Sequence, residues 1–283
     1  MSPRSVPTAR QRRLGTELRK MREHAGMNVV QAAEQLGVNR TRISNMEAGR
    51  FGVSEERVRT LAAIYSCGDQ AYVDQLVAVA VERGNGWWED YRGKLAANAL
   101  DLAELEHHAV EVRSVQIVHM PGLLQTEDYA KAVLSTAEPE PTPVQLRVRL
   151  SHRLKRRDVL DREDPPQCAF LIHEAALRLH FGGPKVARRQ LEYVLEASER
   201  DNVTVRVIPF SAGGFPNAGC STTYFSGPVP QLDTVQIDAP TGSALLDSEA
   251  HLANYRRVLD RTEEGVMTSE DTRDFVHAIA NQL

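Results

Sequence analysis

Cysteine is scarce in this 283-residue sequence, and the three present, Cys67, Cys168 and Cys220, stand far apart and form no CxxC pair. That spacing argues against a disulfide-stapled scaffold or a zinc knuckle and fits a reducing compartment. Long apolar runs are missing too. No stretch approaches the ~18 apolar residues of a membrane span, and the polar first residues lack the apolar segment of a secretory leader. The cytoplasm is the expected setting, with no membrane partner. Catalytic signatures are equally sparse. No P-loop, GxGxxG, GxSxG or HExxH occurs, so neither a cofactor nor a metal is expected, and the chain does not read as an enzyme.

Charge is unevenly spread. Residues 1–60 hold 12 Lys and Arg against 6 Asp and Glu, while the remainder holds 22 against 32. The overall −4 thus hides a basic head and an acidic body, so a polyanion is drawn to one end and repelled from the other. At this length two or three domains are expected.

The head contains the most informative stretch, residues 28–47 (NVVQAAEQLGVNRTRISNME). Asn28 is a short polar N-cap before an apolar-periodic run, in which Ala32, Ala33 and Leu36 share a face. Gly37 supplies the positive φ that ends this helix. Val38 plugs the corner, and Asn39 caps a second helix. Ile43 and Met46, three apart, point to the core, while Arg40, Thr41, Arg42, Ser44 and Asn45 face outward. Arg matches guanine O6/N7 and Asn matches adenine N6/N7, so such a helix suits the major groove. Leu14, Leu18, Met21 and Arg22 make an earlier amphipathic helix ended by Gly26. Val58, Leu61, Ala62 and Tyr65 make a later one, and a fifth helix follows from Asp69 to Glu82.

This segment resembles the XRE, or Cro/C1-type, helix-turn-helix family. Its pattern is present as Leu14, Leu18, Arg19, Gly26, Ala33, Leu36, Gly37, Val38, Ile43, Ser44, Glu47 and Gly49. The resemblance implies an all-α, lambda-repressor-like head that binds double-stranded DNA. Arg40, Thr41, Arg42 and Asn45 are the expected base readers. Gln31, Asn39, Arg50, Arg12 and Arg13 are the expected phosphate contacts, and Glu47 and Gly49 are read as structural. Relatives usually open the first helix of the pair with polar residues, whereas Val29 and Val30 stand here.

The chain divides on paper into a flexible basic arm (1–12), a helix-turn-helix domain (13–83), a linker (84–93) and an α+β body (94–283). In the linker Trp87 and Trp88 read as junction packing, with a ligand platform as the alternative. The body alternates helical and strand patterns, with five short strands and six helices expected. Three of its features invite a functional reading. Glu174, at a strand-to-helix switch, is a candidate ligand contact or base, with Arg178 four residues on as a ready salt-bridge partner. Arg153 and Arg156 belong to a basic island with Arg147, Arg149, Lys155 and Arg157, which reads as a solvated helix face, a second nucleic-acid surface or a docking site for an acidic protein. His173 and His180 are spaced for one helix face but too far apart for a metal site.

PGLLQTEDYAKAVL (121–134), HEAALRLHFGGP (173–184), QLEYVL (190–195) and VTVRVIPFSAGG (203–214) are similar to the C-terminal domain of a large actinobacterial regulator family, in which an XRE-type head precedes a conserved domain of unknown function. The resemblance implies a transcriptional regulator, associated with development and antibiotic production, and a small acidic companion protein. One head reads too few base pairs to find a site alone, so a homodimer on a pseudo-palindrome is expected. The competing expectation is a toxin-like enzymatic body with an autoregulatory head.

Overall fold

The computed structural model describes residues 7–82, 86–239 and 242–283. The chain forms two compact units, one holding residues 1–90 and 99–105 and the other 91–98 and 106–283.

The first unit is helical: α1 (Ala9–His24), α2 (Val29–Leu36), α3 (Arg40–Glu47), α4 (Glu55–Ile64) and α5 (Gln70–Val81). Each start is written in the sequence. Thr8, Asn28, Asn39, Ser54 and Asp69 accept backbone N–H bonds as N-caps. The apolar stripes converge on Leu18, Ala32, Ile43, Val58, Leu61 and Leu76, all nearly fully buried. One buried carboxylate belongs to this core. Glu17 accepts the Tyr72 hydroxyl at 2.5 Å and pairs with Arg13 and Lys20.

The expected arm is shorter than the reading by composition. Thr8 and Gln11 form a reciprocal capping box, so the helix begins at Ala9 and residues 9–12 are not an arm. Arg4, counted with that arm, lies outside the described residues, as does Gly84 of the linker. Helix α6 (Ala97–His108) also departs from the expected boundary, since residues 99–105 pack with the head although α6 was assigned wholly to the body. Its Asp101 accepts the Ala9 N–H at 2.8 Å, and Glu104 accepts from the Thr8 hydroxyl and the Arg10 N–H. Carboxylates at a helix N-terminus satisfy orphan donors and oppose the positive end of the dipole.

The second unit is α+β, as expected. Its elements run β1 (Glu111–Gln116), α7 (Glu127–Ser135), α8 (Pro143–Arg156), β2 (Gln167–His173), α9 (Glu174–Arg178), α10 (Pro184–Ala197), β3 (Val203–Ile208), β4 (Thr222–Ser226), β5 (Thr234–Ala239), β6 (Gly242–Leu246), α11 (Glu249–Glu263) and α12 (Ser269–Ala280). The sheet has six strands, not five, in the order β3-β2-β1-β4-β5-β6. β1, β2 and β3 are parallel, joined by helical crossovers, and β4 to β6 add antiparallel. Buried on both faces, β2 reads as a continuous apolar run (Cys168, Phe170, Leu171, Ile172). On one face Leu252 and Leu259 of α11 close over Val115, Leu171, Ile208, Tyr224 and Val235. The β3 edge is covered: the Thr272 hydroxyl accepts the Val207 N–H, and the Val207 carbonyl accepts the Met267 N–H.

Candidate nucleic-acid interface

The helix-turn-helix is built from capping chemistry. The Asn28 carboxamide oxygen accepts the N–H groups of Val30 and Gln31, and the Gln31 side chain returns a bond to the Asn28 N–H. Gly37 takes φ +68° and turns the chain, after which Val38 N–H bonds back to the Ala33 carbonyl. Asn39 then accepts the Arg42 N–H at 2.9 Å and starts α3. Ile43 and Met46 are buried, whereas Arg40, Thr41, Arg42 and Ser44 are exposed and Asn45 is half-buried. The outward row is therefore held on a helix whose inward row is locked in the core.

Three contacts fix where that helix ends. Arg22 of α1 clasps Glu47. Gly15 lets α1 cross so closely that a Cβ there would stand 2.3 Å from the Glu47 carbonyl oxygen. Gly49 combines φ +69° with an approach to the Gln11 carbonyl that would leave a Cβ at 2.8 Å. Arg50 follows, exposed, its N–H on the Asn45 carbonyl.

The expected phosphate contacts divide. Gln31, Asn39 and Arg50 lie exposed around the helix pair, though Gln31 and Asn39 already spend their side-chain oxygens on caps. Arg12 and Arg13 do not hang free. Arg12 bonds Asp101 at 2.7 Å and the Pro7 carbonyl, and Arg13 pairs with the buried Glu17 at 2.9 Å. Both cations are turned to carboxylates of their own unit because α1 already runs through both positions.

The candidates outside the helix-turn-helix are largely engaged within the fold. Trp88 is buried, stands edge-on to Trp87 at 6.0 Å and lies over Gly86, so it packs and offers no platform. Arg156 is buried against Glu106 through two bonds, which removes it from any surface. Arg153 donates to the Gln125 carboxamide, Lys155 pairs with Asp158, and Arg157 bonds Tyr193 while lying over its ring. The island is thus largely spent on internal contacts. Glu174 is 7% exposed and fully bonded, to Arg178 at 2.7 Å and to the Phe210 N–H at 2.8 Å. Burial alone would raise its pKa, but those two donors outweigh it and hold the carboxyl below its ordinary value. It braces β2 and α9 against the turn after β3. His173 caps α9 through Nδ1, and no group of metal-binding side chains forms among the described residues.

Comparison with known families follows this division. A family described as a helix-turn-helix domain matches residues 13–76. A second family, described as a domain of unknown function (DUF5753), matches residues 99–278, well over half of the chain. The chain belongs to the DUF5753 family. No curated protein and no solved structure matches it.

Within the DUF5753 region the PGLLQT segment now has a physical account. Gln125 is buried and bonds the Met120 carbonyl, and Gln190 of α10 receives the Thr126 N–H while donating to the Leu124 carbonyl. A Cβ on Gly122 would meet the Arg156 guanidinium at 3.1 Å. Asp101 and Glu104, at the start of the same region, escaped the sequence reading, since two carboxylates on a helix facing an unknown partner carry no local signal. No described helix is long and apolar enough to cross a membrane.

Proposed function

We propose that the chain is a sequence-specific, double-stranded-DNA-binding transcriptional regulator of XRE (Cro/C1) type, from the actinobacterial group of such proteins, acting at the nucleoid in the cytoplasm. The observation that carries it is the division of α3 into a buried row, Ile43 and Met46, and an exposed row, Arg40, Thr41 and Arg42, with Asn45 at its side. Two arginines and an asparagine on a rigid, capped helix match major-groove edges. Gln31, Asn39 and Arg50 hold phosphates. Two copies on a pseudo-palindrome supply the recognition length that one head lacks, and the body senses a small ligand or a small acidic companion protein. A binding role suits the body better than a catalytic one, because both carboxylate oxygens of Glu174, its strongest candidate base, already accept bonds from Arg178 and the Phe210 N–H.

Genome-wide occupancy of the tagged protein tests this beside a variant with Arg40→Ala and Arg42→Ala. Sharp peaks sharing a two-fold-symmetric motif, lost in the variant, are expected. Diffuse occupancy unchanged by the variant would refute it.

A further inference from the structure

Three arginines stand in the first turns of α1, and each meets a carboxylate of its own unit. Arg10 pairs with Glu82 at 3.2 Å, Arg13 with Glu17 at 2.9 Å and Arg12 with Asp101 at 2.7 Å. Their side chains are 25%, 10% and 44% exposed respectively, so Arg12 is the one that a polyanion in solvent reaches most easily. Its partner is not local. Asp101 lies 89 residues away on α6, inside the region that matches DUF5753, yet it packs with the helix-turn-helix unit.

Arg12 also stands beside the recognition helix. A Cβ on Gly49, just past the end of α3, would come within 3.1 Å of the Arg12 Cα. Arg50 is the next residue, so covalent geometry holds the Arg12 and Arg50 Cα atoms within about 9 Å of each other. Two arginine side chains that close can meet successive phosphates of one DNA strand. Asp101 stands in the way. Its Oδ1 accepts the Ala9 N–H at 2.8 Å, a contact that any acceptor at the start of α1 could make. Its Oδ2 accepts from the Arg12 guanidinium at 2.7 Å and offers Arg12 what a phosphate offers, an anionic oxygen at hydrogen-bond distance. Glu104, one turn on, takes the Thr8 hydroxyl and the Arg10 N–H and makes no bond to Arg12.

We infer that Asp101 is an internal competitor for DNA phosphate, an autoinhibitory contact through which the DUF5753 region withholds Arg12 from the DNA backbone. While the pair is closed, the head binds DNA below its full electrostatic strength. When it opens, Arg12 joins Arg50 on the phosphates. The inference rests on the DNA-binding reading and adds to it a means of control. That control lies on a helix whose later residue Glu106 is bonded by Arg156 of the second unit.

The test is fluorescence anisotropy of the full chain on a mixed-sequence duplex of about 30 base pairs, some three helical turns. It is run across a salt series at pH 8, above the Glu104 pKa of about 7. Asp101→Asn keeps an oxygen for the Ala9 N–H and removes the charge that holds Arg12. It should bind about fivefold more tightly, the worth of one exposed ion pair, and steepen the slope of log K against log salt by about 1, the mark of one added phosphate contact. Asp101→Ser, which also keeps an acceptor, should do the same. Adding Arg12→Ala to Asp101→Asn should return both quantities to the parental values. Glu104→Gln removes an equal charge one turn away and should leave both nearly unchanged. The inference is overturned if the Asp101 variants bind no more tightly than the parent, or if thermal unfolding shows both to be unfolded, which would make the carboxylate structural. It is equally overturned if the gain survives Arg12→Ala or is matched by Glu104→Gln, since the cause would then be loss of negative charge in general. A parent that fails to bind the duplex at any salt would remove the DNA-binding reading itself, whereas parental binding without the Asp101 effect removes only this inference.

Discussion

The guanidinium of Arg22 in α1 closes on the carboxylate of Glu47, the last residue of α3, through two bonds of 2.6 and 3.0 Å, with both side chains nearly buried. Arg22 also bonds the Met27 carbonyl, so one side chain ties the first helix to the turn before α2 and to the end of the recognition helix. Glu47→Ala leaves the buried Arg22 with only a longer pair, at 3.6 Å, to the half-exposed Glu23, and is expected to cost about 3 kcal/mol in denaturant unfolding. The double change Arg22→Met with Glu47→Leu should recover most of that loss, because a buried ion pair exchanged for apolar side chains is near neutral. If the double variant is as unstable as the single one, the pair is not what holds the junction.

Gly15 reverses the usual sign of a helical glycine. Gly→Ala inside a helix ordinarily stabilises by about 0.5–1 kcal/mol. Here the new methyl would meet backbone at 2.3 Å with nothing flexible to yield, so Gly15→Ala should destabilise by about 1–3 kcal/mol and weaken DNA binding by shifting α3. Thermal unfolding and a binding titration on the same preparation check both effects.

Burial raises the Glu104 carboxyl from its ordinary 4.5 to about 7, against the opposing pull of Thr8 and the Arg10 N–H. The folded chain therefore holds this proton more tightly than the unfolded one. Its contribution is full below the unfolded pKa near 4.5 and is lost as pH rises towards 7, a change on the order of 3 kcal/mol. Glu104→Gln should flatten the stability profile between pH 5 and 7.5. An unchanged slope in that variant would assign the titration to another group.

Phosphate contacts are separable from structural arginines by salt dependence. Gln31→Ala and Arg50→Ala should each weaken binding to all sequences alike, and Arg50→Ala should reduce the slope of log K against log salt by about 1. Arg12→Ala should leave that slope intact, because Arg12 is engaged by Asp101, and losing this half-exposed pair should cost about 1 kcal/mol of stability. A reduced slope for Arg12→Ala would return it to the DNA interface.

What was legible in the sequence follows how local its causes are. Asn28, Gly37 and Asn39 act on N–H groups two or three residues away, and each does in the structure what its type and position imply. The first five strands carry β-branched or aromatic runs and were expected. β6, Gly242–Leu246, was not, since it begins on glycine and contains no β-branched residue, and pairing with β5 makes it a strand. Gly15 looked like an ordinary helix residue because the obstacle it avoids is the Glu47 carbonyl, 32 positions away. Thr8 and Gln11 did offer a local cap signal, hidden by the proline and arginines around it. Arg156 and Glu106 are 50 residues apart, and composition alone displayed the arginine as surface charge.

The covered β3 edge makes the sheet one-sided. Thr272 and Met267 occupy the Val207 N–H and carbonyl, through which another strand would join there, while no described strand flanks β6 on its outer side. Any lengthening of the sheet by an added strand, whether from a second molecule in assembly or from a stray chain in aggregation, is thereby directed to β6.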